Sequence, residues 1–132
     1  KNNKIFKVKF DKYKKQANSK VLKSFKKNLL KYFQKKTSDI KTNYELIGTS
    51  TQKKVWNEMK KIKKGNTKSY GELAKKFNLS PRHIGKICGQ NQLPLIIPCH
   101  RVIRSDGNLG GFSAPGGIKL KKKILQFEKN SN

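Results

Sequence analysis

The chain has 132 residues, of which 33 are lysine or arginine and 7 aspartate or glutamate, a formal net charge of +26. That length fits one domain, or one domain with a small appendage, and can bury a core without staples; two cysteines exclude a disulfide scaffold, their spacing excludes a zinc motif, and no apolar run is long enough to span a bilayer. The charge points to a polyanion, nucleic acid or an anionic membrane surface, although AT-rich coding or adaptation to high temperature also enriches lysine.

Free thiols and the lack of a leader-like segment make a reducing intracellular compartment the expectation, with no cofactor or metal required. Only three arginines occur, Arg82, Arg101 and Arg104. In a lysine chain an arginine suggests a need for its planar, multi-donor head.

The first segment, "KIFKVKF", alternates so that Phe6, Val8 and Phe10 share a face, the pattern of a half-buried strand. "QANSKVLKSFKKNLLKYFQKK" then places Val21, Phe25, Leu29 and Phe33 four apart, an amphipathic helix with a lysine-rich outer face. A linker follows, with a short strand at Tyr44–Ile47 and a soft boundary near Gly48. Residues 1–47 therefore read as a small strand-helix part, and 48–132 as the main domain.

"TQKKVWNEMKKIKKG" carries Val55, Met59 and Ile62 at helical spacing, with Trp56 beside them and Gly65 as a stop. "SYGELAKKFNLSPRHIGKICGQN" gives two short helices. The first runs from about Ser69 to Phe77 with Leu73, Ala74 and Phe77 inward; after Asn78-Leu79 the second opens on Ser80 as N-cap and Pro81 at its first position. Helix, tight turn and helix in a basic protein is the helix-turn-helix pattern. On the second helix Arg82, Gly85 and Gly89 share one side. Each glycine costs a helix about 1 kcal/mol relative to alanine, so a bare face here implies close approach by another backbone, and DNA is favoured over a protein neighbour.

In "LPLIIPCHRVIRSDG", Cys99 and His100 stand side by side within an apolar run. In an extended segment they point to opposite faces, so a direct pair needs a bend, which Pro98 could supply, or a bridging water. The alternative is a buried thiol and a hydrogen-bonded histidine in a core strand. A Gly/Ser/Ala/Pro loop runs to Gly117, then a last helix with Ile118, Ile124, Leu125 and Phe127 inward. Glu128 sits near that helix's C-terminus, where the dipole does not favour a carboxylate.

With "IPCHRVI", the preceding "NQLPLI", the "GGF" loop, and "TQKKVW", "SYGELA" and "PRHIG" in order before them, the stretch Gly48 to Glu128 resembles the O6-alkylguanine-DNA alkyltransferases. The resemblance implies an α+β fold: a small, reduced N-terminal α/β remnant of a ribonuclease-H-like domain over 1–47, and a helical, winged-helix-like, DNA-binding and alkyl-acceptor domain with its helix-turn-helix over 48–132. It implies a single-use enzyme, a methylated-DNA–protein-cysteine S-methyltransferase working as a monomer without cofactor. Its partner would be double-stranded DNA carrying O6-alkylguanine or O4-alkylthymine, bound through the minor groove, in the cytoplasm beside the nucleoid or in a nucleus. By matching positions, Cys99 would accept the alkyl group, His100 would withdraw its proton through a water, and Glu128 would orient His100. Tyr70 would assist the leaving base and Arg82 would enter the stack. Asn91 would tie the recognition helix to the cysteine segment, the carbonyls of Cys99 and Val102 would read the guanine amino group, and an amide at Ser113 or Ala114 would contact O6. Ser80 and Gly85 would lie against DNA, Arg101 would brace the site, and Cys88 would pack beneath it.

Three departures qualify the match. Phe112 replaces a tyrosine, "SAP" lengthens the loop before Gly116, and the turn between the two DNA-binding helices is two residues shorter. The competing readings are a non-catalytic alkyltransferase-like damage binder, a plain helix-turn-helix regulator, which leaves "PCHRV" unexplained, and a cysteine peptidase, which needs direct Cys–His contact.

Overall fold

The computed structural model describes residues 4–5, 7–8, 20–36, 39–110 and 117–130. They form a mixed fold of helices with one small sheet. The helices are α1 (Lys20–Phe33), α2 (Ser50–Met59), α3 (Tyr70–Phe77), α4 (Pro81–Gly89) and α5 (Gly117–Lys129). The strands β1 (Lys68–Ser69) and β2 (Val102–Ile103) pair in parallel, Lys68 opposite Val102 and Ser69 opposite Ile103. A single 3-10 turn, Cys99–Arg101, leads directly into β2.

The helix boundaries follow local chemistry. Thr49 caps α2 and Ser69 caps α3, each in a capping box with the Gln52 or Glu72 side chain returning to the cap amide. Asn78 closes α3 in the left-handed region (φ 55°), a conformation asparagine tolerates. Ser80 then accepts from the His83 amide and Pro81 begins α4. The α3–α4 pair thus stands as its sequence reads. By contrast α2 stops at Met59, a turn before Gly65, because Lys61 and Ile62 close with tight i−3 bonds to Glu58 and Met59.

Two inward faces differ from expectation. Steps of four along α1 each overrun a turn by about 40°, so Phe33 has rotated about 120° from Val21. Phe33 is accordingly 47 % exposed, and Tyr32, at 1 %, takes the inward place. On α5 the buried positions are Lys121, Ile124 and Glu128, spaced three and four apart, while Ile118 is left exposed. Of the expected N-terminal strand, the described part is a lone bridge between Ile5 and Tyr44. Ile5, on the face opposite Val8, is the buried residue; Phe6 and Phe10 lie outside the described residues.

The core gathers Val55, Trp56 and Met59 of α2, Leu73 of α3, Ile84 and Ile87 of α4, and Ile124 of α5 around the segment 93–102, every residue of which is buried. The indole of Trp56 donates to the Ile87 carbonyl at 3.0 Å, locking α2 to α4. Asn91 organises the entry to the core segment. Its amide donates to the Ile97 carbonyl and its oxygen accepts from the Leu93 amide, both at 2.9 Å. Between them Leu95 adopts φ 71°, a conformation that costs a non-glycine residue roughly 1–3 kcal/mol and is held by its surroundings.

Candidate active site

Cys99 does not lie in an extended strand. Pro98 opens a 3-10 turn closed by the Arg101 amide on the Pro98 carbonyl (3.0 Å) and the Val102 amide on that of Cys99. Successive side chains in such a turn diverge by about 120°. Cys99 therefore lines a cleft of about 890 Å³, together with Tyr70, Arg82, Gly85, Cys88 and Arg104. His100 turns the other way, into the interior, at 0 % exposure. The bend at Pro98 is present, and it separates the two side chains rather than pairing them.

Behind the turn lies a buried charge cluster centred on Glu128, itself 0 % exposed. Oε1 of Glu128 is 2.9 Å from Nε2 of His100 and accepts from Nε of Arg101 at 2.9 Å. Oε2 accepts from Nη2 of Arg101 and from the Tyr32 hydroxyl, each at 2.6 Å. The remaining arm of Arg101 donates to the Ile62 carbonyl at 2.7 Å. Three hydrogen bonds thus fill most of a carboxylate's roughly four acceptor sites. Burial pushes the Glu128 pKa up, but hydrogen bonds from His100, Arg101 and Tyr32 and the charge of His100 outweigh it and hold the group at about 2.

For His100 the balance runs the other way. Burial lowers its pKa, Glu128 pulls it up, and Arg101 and Lys121 push it down again, leaving it below the ordinary value. The imidazole is thus neutral near pH 7. With Nε2 facing a carboxylate, the proton is assigned to that nitrogen and the lone pair to Nδ1. Both ring nitrogens are buried and neither forms a hydrogen bond among the described residues; Nε2 has the 2.9 Å contact with Glu128, and Nδ1 is left for a proton or a water.

Cys99 is 6 % exposed. Burial raises its pKa, opposed by a hydrogen bond from the Asn91 side chain and by the charge of Lys121. Lys121 is the residue that sequence reasoning missed. Fully buried, it donates to the carbonyls of Val102 (2.7 Å) and Leu109 and reaches the Tyr70 hydroxyl at 3.4 Å. One lone pair of the Val102 carbonyl, expected to read a base, is therefore already engaged. Nothing in "KLKKK" marks Lys121 among its neighbours. Tyr70, at the start of α3, is half-buried, and burial followed by the two thiols moves its pKa up to about 12. Gly110 backs its ring: at φ 73°, a Cβ there would meet Tyr70 at 3.0 Å.

The outer wall of the cleft is α4. Arg82 is exposed, and a Cβ at Gly85 or Gly89 would meet nothing within 4 Å. The face is bare, as its sequence implies. Ser80 is exposed at the end of this wall with its oxygen committed to the cap. Cys88 is buried with its sulfur 3.7 Å from that of Met59, and burial raises its pKa to about 12, the state of a packing thiol. Phe112, Ser113 and Ala114 lie outside the described residues.

The chain has relatives of known family. Residues 50–130 match the family model described as 6-O-methylguanine DNA methyltransferase, DNA binding domain. The chain belongs to that family. It is 55% identical over 86 residues to the methylated-DNA–protein-cysteine methyltransferase of Methanocaldococcus vulcanius, covering 65% of this chain and 52% of that protein. It spans about half the length of the curated relatives it matches first. Among solved structures, Mycobacterium tuberculosis OGT in complex with DNA aligns over 83% of this chain and 68% of its own, with TM-score 0.77 and 34% identity. Schizosaccharomyces pombe Atl1, in complex with damaged DNA containing O6-carboxymethylguanine, aligns over 62% of this chain and 79% of its own, at TM-score 0.53 and 25% identity.

Proposed function

We propose that this chain repairs DNA by direct reversal, transferring the alkyl group of O6-alkylguanine, and of O4-alkylthymine, to Cys99 in a single irreversible turnover. The observation that carries the reading is the unengaged Nδ1 of a neutral His100 whose Nε2 is held 2.9 Å from Glu128, one residue from a thiol at the cleft. Displacement at an alkyl carbon needs a soft nucleophile, and thiolate is the best that side chains offer. A buried thiol has its pKa raised, so it needs a base, and one water can bridge Cys99 to Nδ1 where the side chains diverge.

The sequence of events is then as follows. The α3–α4 pair lies in the minor groove of duplex DNA with the bare face of Gly85 and Gly89 and the Ser80 terminus against the backbone. Arg82 enters the stack in place of the flipped base, helping to offset an unstacking cost of a few kcal/mol. The thiol proton passes through the water to His100, and the imidazolium is stabilised by Glu128. The sulfur forms a bond to the alkyl carbon as the carbon–O6 bond breaks. The departing guanine takes a proton from the Tyr70 hydroxyl, beside which Lys121 lies. The thioether has no route back, hence one turnover per chain. Asn91 fixes the cysteine segment and Arg101 fixes Glu128; the carbonyls of Cys99 and Val102 and the Ser113 region complete base recognition.

The protein acts as a monomer, without cofactor, in the compartment that holds the DNA. Residues 1–47 are the reduced remnant of a ribonuclease-H-like domain, and 48–132 the winged-helix-like repair domain. Among the described residues no helix is long and apolar enough to cross a membrane.

The test is intact-mass spectrometry after incubation with a duplex bearing one O6-methylguanine, with peptide mapping. One methyl group per chain, located on Cys99 and absent in Cys99→Ser, is expected. Tight binding without any mass change would replace repair with damage recognition alone, and the His100–Glu128 activation would fall with it.

A further inference from the structure

One group in the Glu128 cluster comes from the far end of the chain. The hydroxyl of Tyr32, on α1, donates to Oε2 of Glu128 at 2.6 Å across 96 residues. Its ring packs against Phe33 and Phe127, with centroids 5.0 and 5.6 Å away, and Lys64 Nζ lies 4.7 Å over it. Phenylalanine would fill the same aromatic site. The hydroxyl is needed only if the carboxylate is to be held.

The terminal torsion of a glutamate is broad and roughly two-fold. Arg101 grips both oxygens and so sets the carboxylate plane; Tyr32 adds a further donor on Oε2. We infer that Tyr32 is a positioning residue for the alkyl transfer: by donating to Oε2 it draws negative charge from the carboxylate that faces His100 and so sets how strongly that carboxylate favours the imidazolium. The inference rests on the reading of His100 as the base for Cys99. It brings the N-terminal region into the chemistry.

The consequence is a pH profile. The groups facing His100 and Glu128 are Arg101 of the same turn, Tyr32 of α1, Lys121 of α5, Lys64 between α2 and β1, Asp39 through Arg101 at 3.9 Å, and the neighbouring Cys99 thiol. Removing the Tyr32 hydroxyl leaves more charge on Glu128, which favours the imidazolium. The base is the neutral imidazole, so the acid limb of the transfer rate must move to higher pH.

The rate of Cys99 benzylation by free O6-benzylguanine, read by intact mass from pH 5 to 9 on the full chain, tests this. In Tyr32→Phe the acid limb should rise by about half a unit, a roughly threefold slower reaction on that limb. Phe33→Leu, which loosens the same aromatic cluster without touching the hydroxyl, should lower the melting temperature and leave the limb in place. Should Tyr32→Phe not fold, a fluorotyrosine placed at position 32 keeps the ring, strengthens the donor and should move the limb the opposite way. An unmoved limb in a folded variant, or an equal shift in Phe33→Leu, overturns the inference while the repair reading stands. A wild-type Cys99 that gains no benzyl group overturns the reading, and the inference with it.

Discussion

Cys99 stands between two unlike neighbourhoods. Toward α4 the molecule is open: Arg82 is exposed, and a Cβ at Gly85 or Gly89 would touch nothing. Toward α5 it is sealed: Tyr32, His100, Arg101 and Glu128 are each no more than 2 % exposed and are tied to one another. The two arginines show the contrast. Arg101 has its fork filled by Glu128 and the Ile62 carbonyl, while Arg82 points to solvent. A polyanion must be met by surface left unsatisfied until it arrives. A proton relay must instead be fixed beforehand, in a dry place where dipoles and charges act strongly. On the proposed reading one thiol needs both, and the 3-10 turn has Cys99 facing the cleft while His100 faces the interior.

The sealed side should make stability depend on acid. Glu128 has a folded pKa of about 2 against an ordinary 4.5. A depressed carboxylate contributes stability that is present above the unfolded value and lost as pH falls through the folded one, here from about 4.5 to about 2. His100, also lowered, adds a loss beginning below about 6.5, since the unfolded chain takes up a proton that the folded one resists. Urea unfolding from pH 7 to 3 should therefore show falling stability, and Glu128→Gln should be weaker at pH 7 but flatter across the range. Parallel curves for the two proteins would show that the cluster is not the acid-sensitive element.

The open side should matter to DNA and little to folding. Arg82→Ala removes an exposed side chain with no partner among the described residues, so thermal stability should stay within about 0.5 kcal/mol of wild type, as for other surface changes. Transfer from O6-methylguanine in duplex DNA should slow by about tenfold or more, equivalent to roughly 1.4 kcal/mol, while reaction with free O6-benzylguanine stays close to wild type. Equal loss on both substrates would place Arg82 in the chemistry and erase the division between the two sides.

The open side was also the more legible one, for a physical reason. Its helices are specified by neighbours: Ser69 with Glu72, Asn78, and Ser80 with Pro81 each act within a turn of their own position. A missing side chain, as at Gly85, is visible in the sequence itself. The sealed side is joined by hydrogen bonds that span 12 to 96 positions, and a lysine or tyrosine carries no mark of where it will be buried. Lys121 is one lysine in a run of them, and Tyr32 lost its inward place on paper to Phe33 because spacing by four ignores the drift of a 3.6-residue turn. Cys99, His100 and Glu128 were found by resemblance. The bend at Pro98 was foreseen as one option, but which way each side chain turned was settled by the core.

The finest test of the contrast sets stability against function at one atom. Gly85 lies mid-helix in α4, where alanine is favoured over glycine by about 1 kcal/mol. Among the described residues nothing lies within 4 Å of a Cβ built there, so none of them opposes the change. Gly85→Ala should therefore raise thermal stability by about that amount. If the bare face exists to admit a sugar-phosphate backbone, the same methyl group should weaken binding to duplex DNA, measured by fluorescence anisotropy. Free O6-benzylguanine should still react with Cys99, because the sealed side is untouched. A more stable protein that binds duplex DNA as tightly as wild type would mean that the glycine serves no approach of DNA, and that the open wall of the cleft has another cause.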